Sequence, residues 1–313
     1  MNVQVARAAD DSVGPRLALA RVRRPPRQRR LGIRRKLARD GGAVVGLALV
    51  ALAVVLALLA PALSPYDPDA VDAAGRLAPI GAPGHPLGTD QLGRDVLSRL
   101  LWGGQVSLVV GLLPVALALA AGVALGSAAG YFRGPVDAVI MSCLDVVFAF
   151  PAYLLAIAIV SALGPGLSNA ILAIAVVSSA AFARLVRGSV LSIREREFVL
   201  SARVAGAGDG RIIWRHVLPN VTSPVIVYTT LEAGRTIIFA AGLSFLGLGV
   251  QPPTAEWGSM LAQGRGLLNV APHVATLPGV AILLVSLGLN LFGDGLRDAL
   301  DPRALFGTPR EVA

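Results

Sequence analysis

The chain has 313 residues, of which 55% are hydrophobic, 15% are charged and 5% are aromatic. A soluble domain averages about 25% charged residues, so this composition argues against a water-soluble protein and excludes a disordered or collagen-like one. The abundance of Ala, Val, Leu and Gly indicates helices packed through small residues in a bilayer, and a single cysteine, Cys143, excludes a disulfide or a cysteine metal cluster within the chain.

Residues 1–40 form a basic arm that carries the whole net charge of +9, with 12 Lys and Arg against 3 Asp. A basic run of this kind is one way to bind nucleic acid. A charge-free apolar stretch begins directly after Asp40, however, and a basic segment in that position is more simply an orientation signal that also contacts anionic lipids. We therefore expect no nucleic-acid partner.

Charge-free windows locate the membrane-spanning helices, because a helix needs about 20 apolar residues to cross a bilayer. The first is predicted at 41–63, and it is too long for a signal-peptide core, so we expect it to stay uncleaved. An extracytoplasmic segment rich in Pro, Gly and Asp follows at 64–104. Five further helices, which form a core at 105–293, are predicted at 105–130, 137–161, 166–187, 222–249 and 273–293. A cytoplasmic tail at 294–313 completes the chain.

The distribution of Lys and Arg sets the orientation of these six helices. One side of the membrane receives 23 of them and the other side 4, while Arg235 lies inside a predicted helix. The sequence therefore predicts an all-α, multi-pass protein of the cytoplasmic membrane with both termini in the cytoplasm.

No pattern of residues predicts an enzyme. A nucleotide-binding loop needs a lysine after a glycine-rich turn, and the only lysine, Lys36, follows no such turn. We therefore expect no cofactor in this chain, with any ATP and Mg²⁺ bound by partner subunits. Intramembrane proteolysis would pair a nucleophile with a base, but Ser244 is predicted about one turn deeper in the membrane than His273.

The cytoplasmic loop at 188–220 is the most charged stretch after the arm. Helix-forming residues run from Ile193 to Ala205, and Gly206 then permits a sharp turn. A second short amphipathic segment leads to Pro219, at the start of the next helix. A helix–glycine–helix that projects from a membrane is well shaped to dock in a groove of another protein, although an ordinary charged loop explains the pattern equally well.

The same loop also carries a family pattern. It reads Glu197-Phe-Val, Ala202-Arg203, Gly206-Ala207 and Asp209, and it ends in Leu218-Pro219-Asn220. These residues resemble the coupling loop of ABC-importer permeases, in the variant of the peptide and nickel importer branch. The general pattern of the family has a glutamate where this chain has Leu200, and Glu197 supplies an acid one turn earlier.

Four other stretches, in the same order and with compatible spacing, are similar to the C-type permease of that branch. They are Ala60-Pro61 with Ser64-Pro-Tyr-Asp-Pro68, His85-Pro-Leu-Gly-Thr-Asp90 with Gly93-Arg-Asp95, Leu243-Ser-Phe-Leu-Gly-Leu-Gly249 with Glu256-Trp-Gly258, and Gly293-Asp-Gly-Leu-Arg-Asp-Ala-Leu-Asp301-Pro-Arg303. The resemblance extends over residues 31–303 and leaves the first part of the basic arm uncovered.

The resemblance implies a type I ABC importer permease fold with six transmembrane helices. It implies a second homologous permease subunit, two ATPase subunits and an extracytoplasmic solute-binding protein as partners in the lipid bilayer. The chain would be a non-enzymatic subunit that forms the path for di- or oligopeptides, or for nickel or another small solute of the same branch. The residues implied to couple it to the ATPases are Glu197, Ala202, Arg203, Gly206, Ala207, Asp209, Leu218 and Pro219.

Two intramembrane charges, Glu232 and Arg235, fall outside the family pattern. They are three residues apart on one helix face and can neutralise each other, which is the simpler explanation because isolated charges in a bilayer need a partner. The alternative is that both line the translocation path and bind the charged ends of a peptide.

A stand-alone channel or secondary transporter is the rival from another functional class. Such a protein has no use for a loop that docks to an ATPase. Secondary transporters also show internal repeats or broken helices around an ion site, and the sequence shows neither clearly.

Overall fold

The computed structural model describes residues 33–300, so most of the predicted basic arm and residues 301–313 of the predicted tail lie outside the described part. Within residues 33–300 all regular secondary structure is helical, which confirms the predicted all-α class. The long helices are α2 (Gly41–Leu58), α4 (Val96–Phe132), α7 (Leu167–Ile193), α10 (Leu218–Phe245) and α12 (His273–Leu300).

Shorter helices connect the long ones. They are α1 (Ile33–Leu37), α3 (Ala60–Leu63), α5 (Gly134–Phe148), α6 (Ala152–Leu163), α8 (Glu197–Val204), α9 (Asp209–Ile212) and α11 (Trp257–Gly264). A π-helix, Ile213–Val217, joins α9 to α10, and one 3-10 turn, Arg265–Leu267, follows α11.

Five helical segments in the described part of the chain are long and apolar enough to cross a membrane, and α5 with α6 would make a sixth if the two are counted as one span. The predicted single helix at 137–161 is wrong in shape, because α5 and α6 meet at 91°. The bend lies at Phe150-Pro151, since proline disfavours the helical conformation of the residue before it. Which end of the bundle faces the cytoplasm stays a prediction.

Several predicted helix ends differ from the structure because charge is a poor guide to a helix boundary, and α7, for example, continues to Ile193, six residues beyond the predicted 187. Helix α4 begins nine residues before the predicted position 105, at a cap in which Asp95 Oδ2 accepts a hydrogen bond from the Ser98 N–H at 2.7 Å. Helix α10 ends at Phe245, before the predicted 249, and Gly247 then turns the chain with a positive φ. Helix α12 continues seven residues beyond the predicted 293.

Small residues allow the long helices to pack closely. Gly122, Gly126 and Gly130 of α4 lie directly against α7, where they meet Phe182, Ala183, Val186 and Val190. Gly46 of α2 faces Gly288 of α12 in the same way. Without a side chain at these positions the backbones approach each other, which is how helices associate where apolar burial offers no advantage over lipid.

The segment between α3 and α4 contains no helix within the described residues and is held by buried charges. Arg99, at 1% exposure, lies beside the carboxylate of Asp90, with its Nε 3.6 Å from Asp90 Oδ2. Arg94 donates to the same oxygen at 2.7 Å. Nearby, His85 Nδ1 lies 2.9 Å from Asp95 Oδ1, which fixes the segment to the start of α4.

Candidate functional site

The predicted coupling loop is a folded unit made of α8, α9 and the π-helix, and it is called the coupling segment below. Helix α8 ends at Val204, and Gly206 follows two residues later with a φ of +81°, a conformation that favours glycine. The N–H of Ala207 donates to the Ala202 carbonyl at 3.1 Å, which closes the helix end as in a Schellman motif. The turn that the sequence predicts at Gly206 is therefore present.

A small apolar core attaches the coupling segment to the long helices. Val199, Ile212 and Val217 are fully buried and pack in one cluster with Val186 and Val190 of α7. A motion of the coupling segment is therefore expected to move α7 and α10 with it, since packed interiors transmit displacement.

Tyr131, at the end of α4, connects two of the predicted coupling residues. Its hydroxyl donates to Asp209 Oδ1 at 2.6 Å and accepts from Arg203 Nη2 at 3.3 Å. The hydrogen bond to Tyr131 holds the pKa of the Arg203 guanidinium above its ordinary value. Sequence reasoning missed Tyr131, and the only available signal was an amphipathic aromatic at the end of an apolar helix.

The outer face of the coupling segment is apolar as well as charged. Glu197, Gly206, Asp209 and Pro219 are exposed, whereas Ala202, Ala207 and Leu218 are half-buried. Val204, at 91%, is the most exposed large apolar side chain in residues 35–300. It lies one turn after the exposed Leu200 on the same face of α8, and these two residues form a patch, called the coupling surface below, of the kind that marks a protein contact.

Glu232 and Arg235 line one cavity of about 310 Å³. It lies where the α5–α6 bend meets α7 and α10, and its other lining residues include the aromatic side chains of Phe148, Phe150, Tyr228 and Phe239. Glu232 Oε1 accepts a hydrogen bond from the Ser178 hydroxyl of α7 at 3.0 Å.

The self-neutralising pair that the spacing of Glu232 and Arg235 suggests does not form among the described residues, whose ion pairs do not include it. The Glu232 carboxylate instead accepts its hydrogen bond from the neighbouring helix α7, and the side chain of Arg235 is exposed.

Two ion pairs join α5 to α7, and one of them lies beside this cavity. Arg187 binds both carboxylate oxygens of Asp137 at 2.6 Å, and Arg184 donates to Asp145 at 2.8 Å. The Arg184 guanidinium also lies 3.8 Å from the ring centroid of Phe148, which lines the cavity. Helix α5 is thus held against α7 by two ion pairs.

The residues considered for proteolysis serve other contacts. His273 Nε2 lies 3.2 Å from the Thr89 carbonyl oxygen, and the Ser244 hydroxyl accepts from the Val250 N–H at 3.4 Å.

Glu256 caps α11, where its carboxylate accepts from the N–H groups of Gly258 and Ser259 at 2.8 Å each. Burial raises the pKa of the Glu256 carboxyl, against the lowering effect of these hydrogen bonds.

Comparison with protein families gives two matches to the chain. Residues 122–305 match the family described as "Binding-protein-dependent transport system inner membrane component". Residues 32–79 match the family described as "N-terminal TM domain of oligopeptide transport permease C". The first match contains the coupling segment, Glu232 and Arg235, and the second contains α2 and α3.

Individual relatives are similar over most of their length. The glutathione transport system permease protein GsiD of Pectobacterium atrosepticum is 46% identical over 269 residues, which is 86% of this chain and 89% of that protein. The dipeptide transport system permease protein DppC of Alkalihalophilus pseudofirmus is 45% identical, with 86% and 88% covered. The di/tripeptide transport system permease protein DppC of Pseudomonas aeruginosa is 47% identical, with 85% and 89% covered.

Proposed function

The chain belongs to the family of binding-protein-dependent transport system inner membrane components, and on that premise we propose that it forms, with a second permease subunit, the path by which di- or oligopeptides cross the cytoplasmic membrane. It is a permease subunit of a peptide ABC importer, and its similarity to permeases named for glutathione and dipeptides favours a peptide over nickel as the solute. ATP hydrolysis is assigned to two separate ATPase subunits, and solute delivery to an extracytoplasmic binding protein.

The coupling surface supports the contact with an ATPase. It combines an exposed apolar patch with the charged residues Glu197 and Asp209, and it projects from a unit that is packed against α7 and α10. Closure of the ATPases on ATP would push this unit, and the attached helices would then change which side of the membrane the cavity faces. Tyr131 keeps Arg203 and Asp209 in position for that contact.

Replacing Val204 with glutamate tests this coupling. The side chain is 91% exposed, so the change is expected to alter the stability of the chain by less than about 0.5 kcal/mol. An unpaired charge inside a docked interface costs about 2 kcal/mol or more, which weakens ATPase binding by about thirtyfold. The measurement is purification of the tagged chain from its native membrane in mild detergent, with identification of the accompanying subunits.

The matched control is Val270→Glu, which adds the same charge at a 75% exposed valine in the loop before α12. It should retain the second permease and the ATPases, whereas Val204→Glu should retain the permease alone. Loss of ATPase on replacing Gly206 or Asp209 would support the same site. If the unaltered chain purified by itself and transported without an ATPase, a secondary transporter would replace this proposal.

We further propose that Glu232 and Arg235 bind the charged ends of a peptide in the cavity. A carboxylate and a guanidinium that share one cavity, and that are not paired with each other, match the opposite charges of a zwitterion. The surrounding aromatic rings offer apolar contact for peptide side chains. This arrangement would accept different peptides, because their charged ends are common to all of them.

The test is peptide uptake by the double variant Glu232→Gln, Arg235→Gln in the complete importer. Uptake of a free peptide should fall by about tenfold or more, since a hydrogen bond to a charged group contributes about 1.5–3 kcal/mol. The control is Arg133→Gln, Glu195→Gln, which removes an exposed ion pair at the surface. Unchanged uptake and selectivity in a normally assembled double variant would contradict the role of this pair.

A further inference from the structure

A groove of about 510 Å³ lies between α4 and the start of α10, at the same end of the bundle as the coupling segment. Its walls are almost wholly apolar, and they include Val123, Ala124, Phe132, Trp214 and Leu218. None of these residues lines the cavity that holds Glu232, and none belongs to the coupling surface. Trp214 belongs to the coupling segment and Leu218 to the predicted coupling residues, so the groove borders the coupling segment but is distinct from the cavity and from the coupling surface.

Two features show that the groove is open and incompletely satisfied. Trp214 and Phe132 are 75% and 53% exposed at its rim. Ser127 is only 6% exposed, so its hydroxyl is buried in the wall, and this hydroxyl has no hydrogen-bond partner among the described residues. A buried polar group without a partner is costly, and an occupant with an acceptor oxygen would satisfy it.

Two arginines stand beside the groove. Arg211 and Arg215 are one turn apart on either side of Trp214, both are exposed, and neither forms an ion pair with a carboxylate in residues 33–300. Like charges at this spacing repel each other. Arg211, Trp214 and Leu218 follow one another at intervals of three and four residues, which places the charge in line with the groove.

The depth of these residues follows from helix length. The continuous segment Asp209–Phe245 has 37 residues, or about 55 Å at 1.5 Å per residue, whereas the hydrocarbon core is about 30 Å thick. Its first turns are the charged ones, so they extend beyond the hydrocarbon into the headgroup layer. Tryptophan is typical of that layer, and Leu218 marks where the apolar part begins.

We propose that this groove binds one acyl chain of an anionic phospholipid whose phosphate lies between Arg211 and Arg215. The apolar walls suit the chain, the two unpaired guanidinium groups suit the phosphate, and the Ser127 hydroxyl is placed to donate to an ester carbonyl of the lipid. Charge complementarity favours this occupant over a protein, because a partner helix would have to place an anion between the two arginines at the level of the headgroups.

The experiment measures contact between Trp214 and lipid. The full-length chain is reconstituted in phosphatidylcholine vesicles that contain phosphatidylglycerol, with bromine on the acyl chains of one lipid or, at equal mole fraction, of the other. Bromine quenches tryptophan fluorescence only on contact. The signal of Trp214 is the difference between the chain and its Trp214→Phe variant, since Trp102 and Trp257 also fluoresce.

Brominated phosphatidylglycerol should quench Trp214 in clear preference to brominated phosphatidylcholine. The preference should fall by about fivefold for each of Arg211→Gln and Arg215→Gln, in line with the contribution of one basic residue at an anionic surface. It should persist in Arg35→Gln, Arg39→Gln, which removes two positive charges near the start of α2. It should disappear in Ala124→Phe, which fills the groove at an exposed position without changing the charge.

Two results would overturn the assignment. Equal quenching by both lipids, or a preference that survives Ala124→Phe, would mean that Trp214 merely meets bulk lipid. Loss of the lipid quenching when the second permease or the ATPases are added would assign the groove to a protein partner instead.

Discussion

Replacing Asp90 with alanine is expected to lower the free energy of unfolding by about 3–5 kcal/mol, because breaking a buried ion pair leaves an uncompensated charge. Asp90 is 4% exposed, and its carboxylate lies between the guanidinium groups of Arg94 and Arg99, which are 3% and 1% exposed. It also accepts hydrogen bonds from the N–H groups of Leu92 and Arg94 at 2.8 and 3.0 Å.

The measurement is unfolding of the purified chain in detergent, with Asp69→Ala as the matched control. Asp69 lies 3.1 Å from Arg99 but is 42% exposed, so its removal should cost about 1 kcal/mol or less. Asp90→Asn should recover part of the stability, since an amide oxygen still accepts from the backbone. Equal effects of Asp90→Ala and Asp69→Ala would show that the cluster is open to water.

Replacing Gly126 with alanine should destabilise the packing of α4 against α7 by about 3 kcal/mol, the upper part of the usual range for overpacking. A methyl group at this position would meet the carbonyl oxygen of Ala183 and would lie 2.8 Å from Val186 Cβ. The first obstacle is backbone, which no change of rotamer relieves. The two helices would have to move apart, and this would also weaken the close contacts that α7 makes at Gly122 and Gly130.

Gly188 provides the matched control for Gly126. It lies within α7, and an added methyl group there would have no neighbour within 4 Å. Gly188→Ala should therefore stabilise the chain by about 0.5–1 kcal/mol, because alanine favours a helix more than glycine does. The pair is compared by thermal unfolding in detergent micelles. A similar small effect of both substitutions would contradict a close contact at Gly126.

The helical class and the family could be predicted because both depend on residues that are near one another in sequence. Apolar helices are identified from runs of neighbouring residues without charge. The family motifs, such as Gly206 with Leu218-Pro219, are likewise continuous stretches of sequence. The turn at Gly206 was predictable for the same reason, since a positive φ at a helix end is a local property.

The same local view explains the errors at helix boundaries. Charge-free windows predict that α4 starts at 105, because Arg94 and Arg99 precede that position, whereas both side chains are buried against Asp90. The 91° bend between α5 and α6 was hard to predict, because Pro151 is its only sign in an otherwise uniform apolar stretch of sequence.

By itself, the sequence determined that this protein is a helical membrane permease of the peptide-importer branch, with a loop that is predicted to couple it to an ATPase. Only the tertiary structure decided which side chains meet. Tyr131 joins Arg203 to Asp209 across more than 70 positions. Glu232 accepts a hydrogen bond from Ser178 of α7, whereas the ion pair with Arg235 that the spacing suggests is not among those of residues 33–300. Composition and local spacing carry no information on such contacts, because they depend on how α4, α7 and α10 pack, and that packing is set by small residues whose partners lie far away in the chain.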